Sequence, residues 1–171
     1  MFSVEKCAVP VDTLLDRYSK NESYADCYRT EIPKAVSINQ FIFRFYTTFL
    51  FKLERWILTW IVAKPSTDSQ AKQLADCDID EFAAWHVEDR NESELLMCDL
   101  RGRTRSWFMV MRTSTNPDRT RLYFGSAVVP TRNRITGKLT MGLIFRALLG
   151  FHQIYSVLLL YAAKSRIARS R

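Results

Sequence analysis

The stretch of sequence that decides the fold is Met141-Gly-Leu-Ile-Phe-Arg-Ala-Leu-Leu-Gly-Phe-His-Gln-Ile-Tyr-Ser-Val-Leu-Leu-Leu-Tyr-Ala-Ala163, which follows a series of predicted strands and precedes a basic tail, 164–171. This run is too apolar for a helix surrounded by water. It is also interrupted by Arg146 and Gln153, which a membrane span disfavours. At helical spacing Arg146, Gly150 and Gln153 fall near one stripe. We therefore predict a helix whose apolar arc packs on a sheet while this stripe faces water.

The composition of the chain is that of an ordinary globular protein. Its 171 residues are 47% hydrophobic and 25% charged, which provides a sizeable core and argues against disorder. We predict a single domain over residues 1–163, followed by the basic tail 164–171.

Cysteine usage and the N-terminal residues indicate the cytoplasm. Cys7, Cys27, Cys77 and Cys98 are too far apart for a CxxC metal or redox motif, so we expect reduced and mostly buried thiols. Nothing in residues 1–13 resembles a signal peptide. The sequence therefore predicts a cytoplasmic protein, with membrane association as an alternative.

Charge is distributed unevenly along the chain. Residues 1–98 contain 11 Lys and Arg against 16 Asp and Glu, a net charge of −5, whereas residues 99–171 contain 14 against 2, a net charge of +12. Such a basic half occurs in proteins that bind nucleic acid or anionic lipid. Two complementary faces of one domain with a solvated tail give the same skew. Because no nucleic-acid-binding motif is present, we expect no nucleic-acid partner.

A long amphipathic helix is predicted from Ile38 to Val62. Ser37 and Gln40 form a capping box at its start. The apolar arc of this helix contains Ile42, Phe45, Tyr46, Phe49, Leu53, Trp56, Ile57 and Trp60. Such an arc is typical of a helix packed on a sheet, and also of a helix that lies in a membrane interface.

The remaining pattern predicts an α+β fold with an antiparallel sheet. Further helices are expected over residues 10–19 and 67–75, the second with a capping box formed by Thr67 and Gln70. The predicted strands span 24–32, 82–89, 94–100, 104–113 and 119–129. Short separators between the last four strands favour antiparallel hairpins.

Both faces of the predicted sheet are apolar. One face collects Trp85, Val87, Leu96, Cys98, Trp107, Met109, Tyr123, Gly125 and Ala127. The other face collects Leu95, Met97, Phe108, Val110, Leu122, Phe124 and Val128. A sheet with one solvated face should instead alternate apolar and polar residues. We therefore expect the second face to be covered by another subunit, as in a homodimer, by a second helix layer or by a membrane.

No catalytic signature occurs in the sequence, and we assign no catalytic residue, metal site or cofactor. The chain has 2 histidines, His86 and His152, which excludes a site built on several His ligands. His86 is a candidate general base beside Glu88 or Asp99, or else a hydrogen-bonded strand residue.

Arg105 alternates with Trp107 onto the sheet face that we assign to the final helix. A buried charge at this position needs a carboxylate or a ligand head group as its partner. The alternative is an arginine at the rim of the sheet, paired with Asp99 or Glu94.

Four segments of the chain carry a resemblance to a known superfamily. These segments are Phe45-Tyr-Thr-Thr-Phe-Leu-Phe-Lys-Leu-Glu-Arg55, Gly102-Arg-Thr-Arg-Ser-Trp107, Leu122-Tyr-Phe-Gly-Ser-Ala-Val-Val-Pro130 and Phe151-His-Gln-Ile-Tyr-Ser156. They resemble uncharacterised bacterial members of the helix-grip superfamily, which includes Bet v 1, START-like and SRPBCC proteins. The order of elements over residues 24–163 is similar as well. The sequence departs from the superfamily in its five recognisable strands, where six or seven are usual, and in its additional N-terminal helix.

The resemblance implies a curved antiparallel sheet wrapped around a long C-terminal helix, with an apolar cavity between them for a lipid, sterol or polyketide-like molecule. In such folds the cavity lining determines function. Our candidates for the lining are Trp85, Cys98, Arg105, Trp107, Met109, Tyr123 and Phe151, with Arg105 or His152 providing polar recognition.

Three functional hypotheses follow. The leading one is non-enzymatic binding of a small apolar ligand between the sheet and the final helix. The alternatives are a cyclase or hydratase-like enzyme that uses His86, and a peripheral membrane or assembly module. In that module the helix over 38–62 and the basic tail would contact an anionic membrane.

Overall fold

The structure is a computed structural model that describes residues 4–19, 23–62, 66–113, 116–132, 139–140 and 143–169. Within these ranges it leaves out the side chains of residues 54, 57–62, 116–117, 131–132, 139–140 and 143–149.

Strands and helices alternate in blocks along the chain. The strands are β1 (Glu5–Cys7), β2 (Tyr24–Ile32), β3 (Glu81–Phe82), β4 (Trp85–Arg90), β5 (Glu94–Asp99), β6 (Thr104–Thr113), β7 (Asn116–Val128), β8 (Thr131–Arg132) and β9 (Leu139–Thr140). The helices are α1 (Ile38–Tyr46), α2 (Phe49–Val62), α3 (Asp68–Ala75) and α4 (Leu143–Arg169), with a short 3₁₀ helix at Asp16–Tyr18.

The main sheet is antiparallel and curved, and it contains seven strands among the described residues, in the order β1-β2-β7-β6-β5-β4-β3. Strands β8 and β9 form a separate hairpin. With α4 as a long C-terminal helix, this arrangement confirms the predicted α+β fold. The prediction of five strands was wrong. It missed β1, and it merged β3 with β4, which are separated by a turn in which Ala83 has a positive φ of 53°.

The helix predicted from Ile38 to Val62 is broken in two, and the break lies at Thr47 and Thr48. The Thr47 hydroxyl donates to Phe43 O at 2.7 Å, and the Thr48 hydroxyl donates to Phe45 O at 2.9 Å. The same Thr48 hydroxyl accepts the backbone N–H of Phe51 at 3.2 Å. Threonine hydroxyls compete with the backbone for hydrogen bonds and favour caps. Thr48 therefore ends one helix and starts the next.

Because of the break, α2 buries a different face from the one predicted. Phe51 and Arg55 are buried, whereas Phe49, Leu53 and Trp56 are 84%, 47% and 61% exposed. The sequence assigned these last three residues to the packed arc. That assignment was wrong because it extrapolated one uninterrupted helical phase across Thr47 and Thr48.

The main core lies between the sheet, α1 and α4. It contains α1 residues Phe41 and Phe45, sheet residues Phe108 and Phe124, and α4 residues such as Leu160. The Phe45 ring lies 4.7 Å from the Phe108 ring and 4.8 Å from the Phe124 ring, centroid to centroid. Aromatic contacts of this geometry stabilise a core beyond the area that they bury.

The second sheet face is covered by residues 4–19, which we call the N-terminal cover. Leu15 is fully buried there against Trp107, Met109 and Tyr123. The N-terminal residues of the chain, rather than a second helix layer, therefore cover this face. The helix predicted over residues 10–19 is reduced to turns and the short 3₁₀ helix.

Glu94 fastens the N-terminal cover to the sheet. Its Oε2 accepts the backbone N–H of Leu14 at 2.8 Å and the Trp107 indole N–H at 2.7 Å. Because Glu94 and Trp107 are buried, these bonds satisfy groups that water cannot reach.

Helix α4 packs on the face that contains Phe108 and Phe124, which is the reverse of the prediction. Its buried residues recur every three or four positions, as expected for one helical face. They are Ser156, Leu159, Leu160, Ala163, Lys164 and Ile167. No helix in the described part of the chain is long and apolar enough to cross a bilayer.

The predicted water-facing stripe and the predicted tail both differ from the structure. Gly150 is exposed, but Gln153 is half-buried and donates to Tyr24 Oη at 3.0 Å. The side chain of Arg146 lies outside the described residues. The predicted boundary at residue 163 falls inside α4, which continues to Arg169 with Lys164 and Ile167 buried.

Candidate functional site

A cavity of about 300 Å³ lies between the sheet, α1, α2 and the middle of α4. Its walls are mostly aromatic and aliphatic, with a few polar residues from β6, β7 and α4. The lining consists of Phe45, Tyr46, Phe51, Trp85, Thr104, Arg105, Ser106, Phe108, Phe124, Ser126, Ala127, Val128, Phe151, His152, Tyr155, Ser156 and Leu159. Protein cores contain few voids larger than a water molecule. A space of this size therefore matches a small-molecule site better than a packing defect.

The apolar part of the cavity is built from facing aromatic rings. Phe108 and Phe124 project from neighbouring strands with their centroids 5.3 Å apart. On α4, Phe151 and Tyr155 are stacked at 5.8 Å. Phe151 is also 66% exposed, so it lies where the cavity meets solvent.

A buried polar cluster centred on Asp26 adjoins the cavity; Asp26 does not itself line the cavity but lies beside the lining residues Ser126 and His152. Alternation along β2 places Tyr24, Asp26 and Tyr28 on the face that packs against α4. Asp26 is 3% exposed, and its Oδ2 accepts the hydroxyl of Tyr24 at 2.9 Å and that of Tyr28 at 3.4 Å. Burial raises the pKa of both tyrosines, and the negative charge on Asp26 adds to this effect. Both hydroxyls therefore remain protonated and act as donors.

Four buried atoms, one of Asp26 and three of lining residues, have no hydrogen-bond partner among the described residues. They are Asp26 Oδ1, His152 Nε2, Ser126 Oγ and Ser156 Oγ. We call these four residues the polar end of the cavity. Ser126 pairs directly with Asp26 across β2 and β7, and His152 Nε2 lies 3.7 Å from Asp26 Oδ2, too far for a hydrogen bond. Buried polar atoms are rarely unpaired, so this cluster is suited to groups brought by a ligand or by water.

Three of the predicted lining residues, Trp85, Arg105 and Phe151, border the cavity, as does His152, a candidate for polar recognition. Trp85 does so although it was grouped with Trp107, which lies on the opposite face of the sheet. The pairing of β4 with β5 shifts between Val87 and Asp89, so β4 has a bulge that changes which residues face α4.

Arg105 borders the cavity, but its guanidinium group bonds elsewhere. Its Nε donates to Glu88 Oε2 at 2.8 Å, and an Nη donates to Gly102 O at 2.6 Å. The guanidinium also lies 4.8 Å over the ring of Tyr18, a residue of the N-terminal cover. Its ion-pair partner is therefore Glu88 rather than Asp99 or Glu94.

The other four predicted lining residues do not reach the cavity. Trp107, Met109 and Tyr123 pack under the N-terminal cover, and Cys98 pairs with Arg105 across β5 and β6. They were grouped correctly on one sheet face, but α4 packs on the other face. Because both faces are apolar, the sequence contains no local signal that distinguishes them.

His86 is not among the residues that line the cavity. It lies on β4 opposite Cys98, on the side of the strand away from Trp85. The one histidine in the described lining is His152, and its carboxylate neighbour is Asp26.

Sequence analysis missed Asp26, Tyr24, Ser126 and Ser156. A signal existed for Asp26, because the alternating positions Asp26, Tyr28 and Ile32 place a carboxylate in a row of buried strand residues. The two serines had no such signal, since serine is tolerated on any strand or helix surface.

The chemistry available at the polar end is hydrogen bonding and charge pairing. Among the described residues, no group of three or more His, Cys, Asp or Glu side chains is arranged to hold a metal ion. Comparison with protein-family models, with curated proteins and with solved structures found no match to the chain. Any functional assignment therefore depends on the geometry of this cavity.

Proposed function

We propose that the protein binds a small, mostly apolar molecule in the cavity between the sheet and α4. The observation that carries the proposal is the combination of an aromatic cavity of about 300 Å³ with four buried, unpaired polar atoms at one end. Ligand sites typically combine an apolar lining with a few convergent polar groups. The volume lies at the lower end of the usual range, which favours a compact ligand over a sterol or a long-chain lipid.

The position of the cavity also supports entry from solvent. Phe151, in the first half of α4, lines the cavity and is largely exposed. We infer that a ligand enters beside this ring.

Cavity binding is tested by filling the space. Ser156→Met places a long side chain into the cavity from α4, where Ser156 is 1% exposed. We expect loss of most of the binding of N-phenyl-1-naphthylamine, a neutral apolar fluorophore, measured by fluorescence titration. Organic extraction of the purified protein followed by mass spectrometry provides an independent search for a bound molecule.

The matched control is Ser165→Met, the same substitution on the same helix at a half-buried position outside the lining. It should bind the fluorophore as the wild type does. Equal binding by wild type and Ser156→Met, or no binding and no extracted molecule, contradicts the proposal.

A second candidate function is contact with an anionic lipid surface. Exposed apolar side chains on α2 and α4 support it, because soluble monomers rarely expose large apolar patches. These side chains are Phe49, Leu53 and Trp56 on α2 and Phe151, Ile154, Leu158 and Tyr161 on α4. The formal charge of +7 adds attraction to anionic lipid. The basic tail contributes less than predicted, since Lys164 is buried and Arg166 donates to Thr47 O at 2.7 Å.

Vesicle flotation tests the lipid contact. The vesicles contain phosphatidylcholine with phosphatidylglycerol, and we expect binding at low salt that weakens as salt is added. Trp56→Ser should reduce flotation, whereas Met111→Ser, at an exposed position on β6, should not. Absence of flotation at low salt excludes this function.

A further inference from the structure

We propose that the polar end of the cavity recognises a protonated amine on an otherwise apolar, preferably aromatic ligand, with Asp26 as its counter-charge. The inference rests on the proposed binding function and specifies the chemical class of the ligand.

The first step is the state of Asp26. Its side chain is 1% exposed, and Oδ1 has no hydrogen-bond partner in the described structure, while Oδ2 accepts the hydroxyls of Tyr24 and Tyr28. A buried carboxylate is costly unless it is paired with a charge and fully hydrogen-bonded. One of its two oxygens therefore requires a donor.

The second step is that nearby cations are already bound elsewhere. The Arg105 guanidinium donates to Glu88 and to Gly102 O, and Lys164 Nζ donates to Thr30 Oγ1 at 2.7 Å. Within the described chain, the basic side chain within 4 Å of Asp26 is His152, whose Nε2 lies 3.7 Å from Oδ2 and makes no hydrogen bond. No described cation therefore hydrogen-bonds to Asp26, and we infer that the ligand brings the charged donor.

The third step is the shape of the surrounding site. An ammonium group in the cavity meets the unpaired hydroxyl oxygens of the lining residues Ser126 and Ser156, and the Asp26 carboxylate lies beside Ser126 on the neighbouring strand. Phe124 lies two positions before Ser126 on the same face of β7, so aromatic faces adjoin the polar end. The face of an aromatic ring attracts a cation, and the same ring can pack against the apolar part of a ligand. A carboxylate head group, by contrast, would be repelled by the negative charge on Asp26.

The test compares three probes of one shape with the full chain. They are 2-naphthylmethylamine, 2-naphthylmethanol and 2-naphthoate, which are cationic, neutral and anionic at neutral pH. Titration calorimetry should give the amine a Kd at least about tenfold lower than the alcohol, as expected for a charged hydrogen bond, and the weakest binding for the naphthoate.

Asp26→Asn should reduce the tenfold preference for the amine to less than about twofold while the alcohol still binds. The control is Glu31→Gln, which removes a carboxylate from the opposite face of the same strand and should leave the preference unchanged. If Asp26→Asn does not fold, Ser126→Ala decides, because it removes a hydroxyl acceptor for the ammonium group and should lower the amine preference.

Each outcome has a defined meaning. Equal or tighter binding of the alcohol or the naphthoate by the wild type overturns the amine assignment and leaves the binding function intact. An unchanged amine preference in Asp26→Asn, or in Ser126→Ala where Asp26→Asn does not fold, overturns it as well. If none of the three probes binds, both the amine assignment and the proposed cavity function fail.

Discussion

At Gly125, in the middle of β7, a Cβ atom would lie 2.5 Å from Leu15 Cδ2, 2.9 Å from Asp26 O and 3.1 Å from Trp107 Cε3. The Asp26 oxygen belongs to the neighbouring strand and cannot move away. We expect Gly125→Ala to lower the free energy of unfolding by about 1–3 kcal/mol, measured by urea denaturation. This glycine is what lets the N-terminal cover approach the sheet.

The control for this prediction is Gly150→Ala. Nothing lies within 4 Å of a Cβ built at Gly150, which is exposed inside a helix. Alanine there should raise the free energy of unfolding by about 0.5–1 kcal/mol. Wild-type stability in Gly125→Ala would contradict the packing described for Leu15.

Lys164 predicts a pH dependence of stability. Burial lowers the pKa of Lys164, whereas the lysine of the unfolded chain keeps its proton to about pH 10.4. Between these two values the unfolded chain binds more protons, so the contribution of Lys164 to stability rises with pH. Relative to Lys164→Met, the wild type should therefore gain free energy of unfolding as the pH rises toward about 10.4.

Urea denaturation of both proteins across this range measures the difference. Lys72→Met removes an exposed lysine and should keep the slope of the wild type. A constant difference between wild type and Lys164→Met across the range would show that the burial of Lys164 does not affect its protonation.

At the scale of single residues, the sequence predicted some positions and not others for physical reasons. His152 and Trp85 were chosen as candidates because imidazole and indole side chains are common in ligand sites, and both residues border the cavity. Asp26 was missed because the importance of a strand carboxylate depends on what packs over it. For this chain that partner is α4, more than a hundred positions away in sequence.

At the scale of elements, the break between α1 and α2 depends on one hydroxyl. Thr48 is 2% exposed and both accepts from Phe51 N–H and donates to Phe45 O. We expect Thr48→Ala to lower the free energy of unfolding by about 1 kcal/mol, the usual cost of losing an N-cap. Thermal denaturation followed by circular dichroism measures the loss.

Thr48→Ser keeps the hydroxyl and should stay within about 0.5 kcal/mol of the wild type. If alanine and serine have equal effects, the hydroxyl does not cap α2, and the break has another cause.

The helix N-termini that have a local sequence signal were predicted correctly, whereas the break between α1 and α2 was not predicted. The capping boxes at Ser37 and Thr67 involve side chains three residues apart, and both are present in the structure. Strands β2 and β6 were predicted with their correct limits, since period-two apolar patterns are also local. The hydroxyls of Thr47 and Thr48 fit a helix interior as well as a break, and packing of Phe51 into the core decides between them.

At the scale of the whole molecule, the N-terminal cover decides whether the sheet presents one apolar face or two. A chain that begins at Lys20 would expose Trp107, Met109 and Tyr123, which are at most 5% exposed in the structure. We expect this shortened chain to self-associate or precipitate, because a broad apolar patch of this kind drives association. Analytical ultracentrifugation measures the change.

A chain lacking only residues 1–3 retains β1 and Leu15 and serves as the control. It should sediment as the full chain does. A monomeric shortened chain with an unchanged thermal midpoint would mean that the cover does not protect the second face. The homodimer inferred from two apolar faces loses its basis, since the chain covers both faces by itself.

The central pairing of β2 with β7 also determines the order in which the chain acquires its structure. Glu31 and Arg121 meet across this pair although they are 90 positions apart, and α4 packs on the same strand from still further along the sequence. Closing such long loops costs entropy before any contact compensates for it, which places folding in the range of milliseconds to seconds. During synthesis, Tyr24–Ile32 therefore lacks its main partner strand until β7 has left the ribosome.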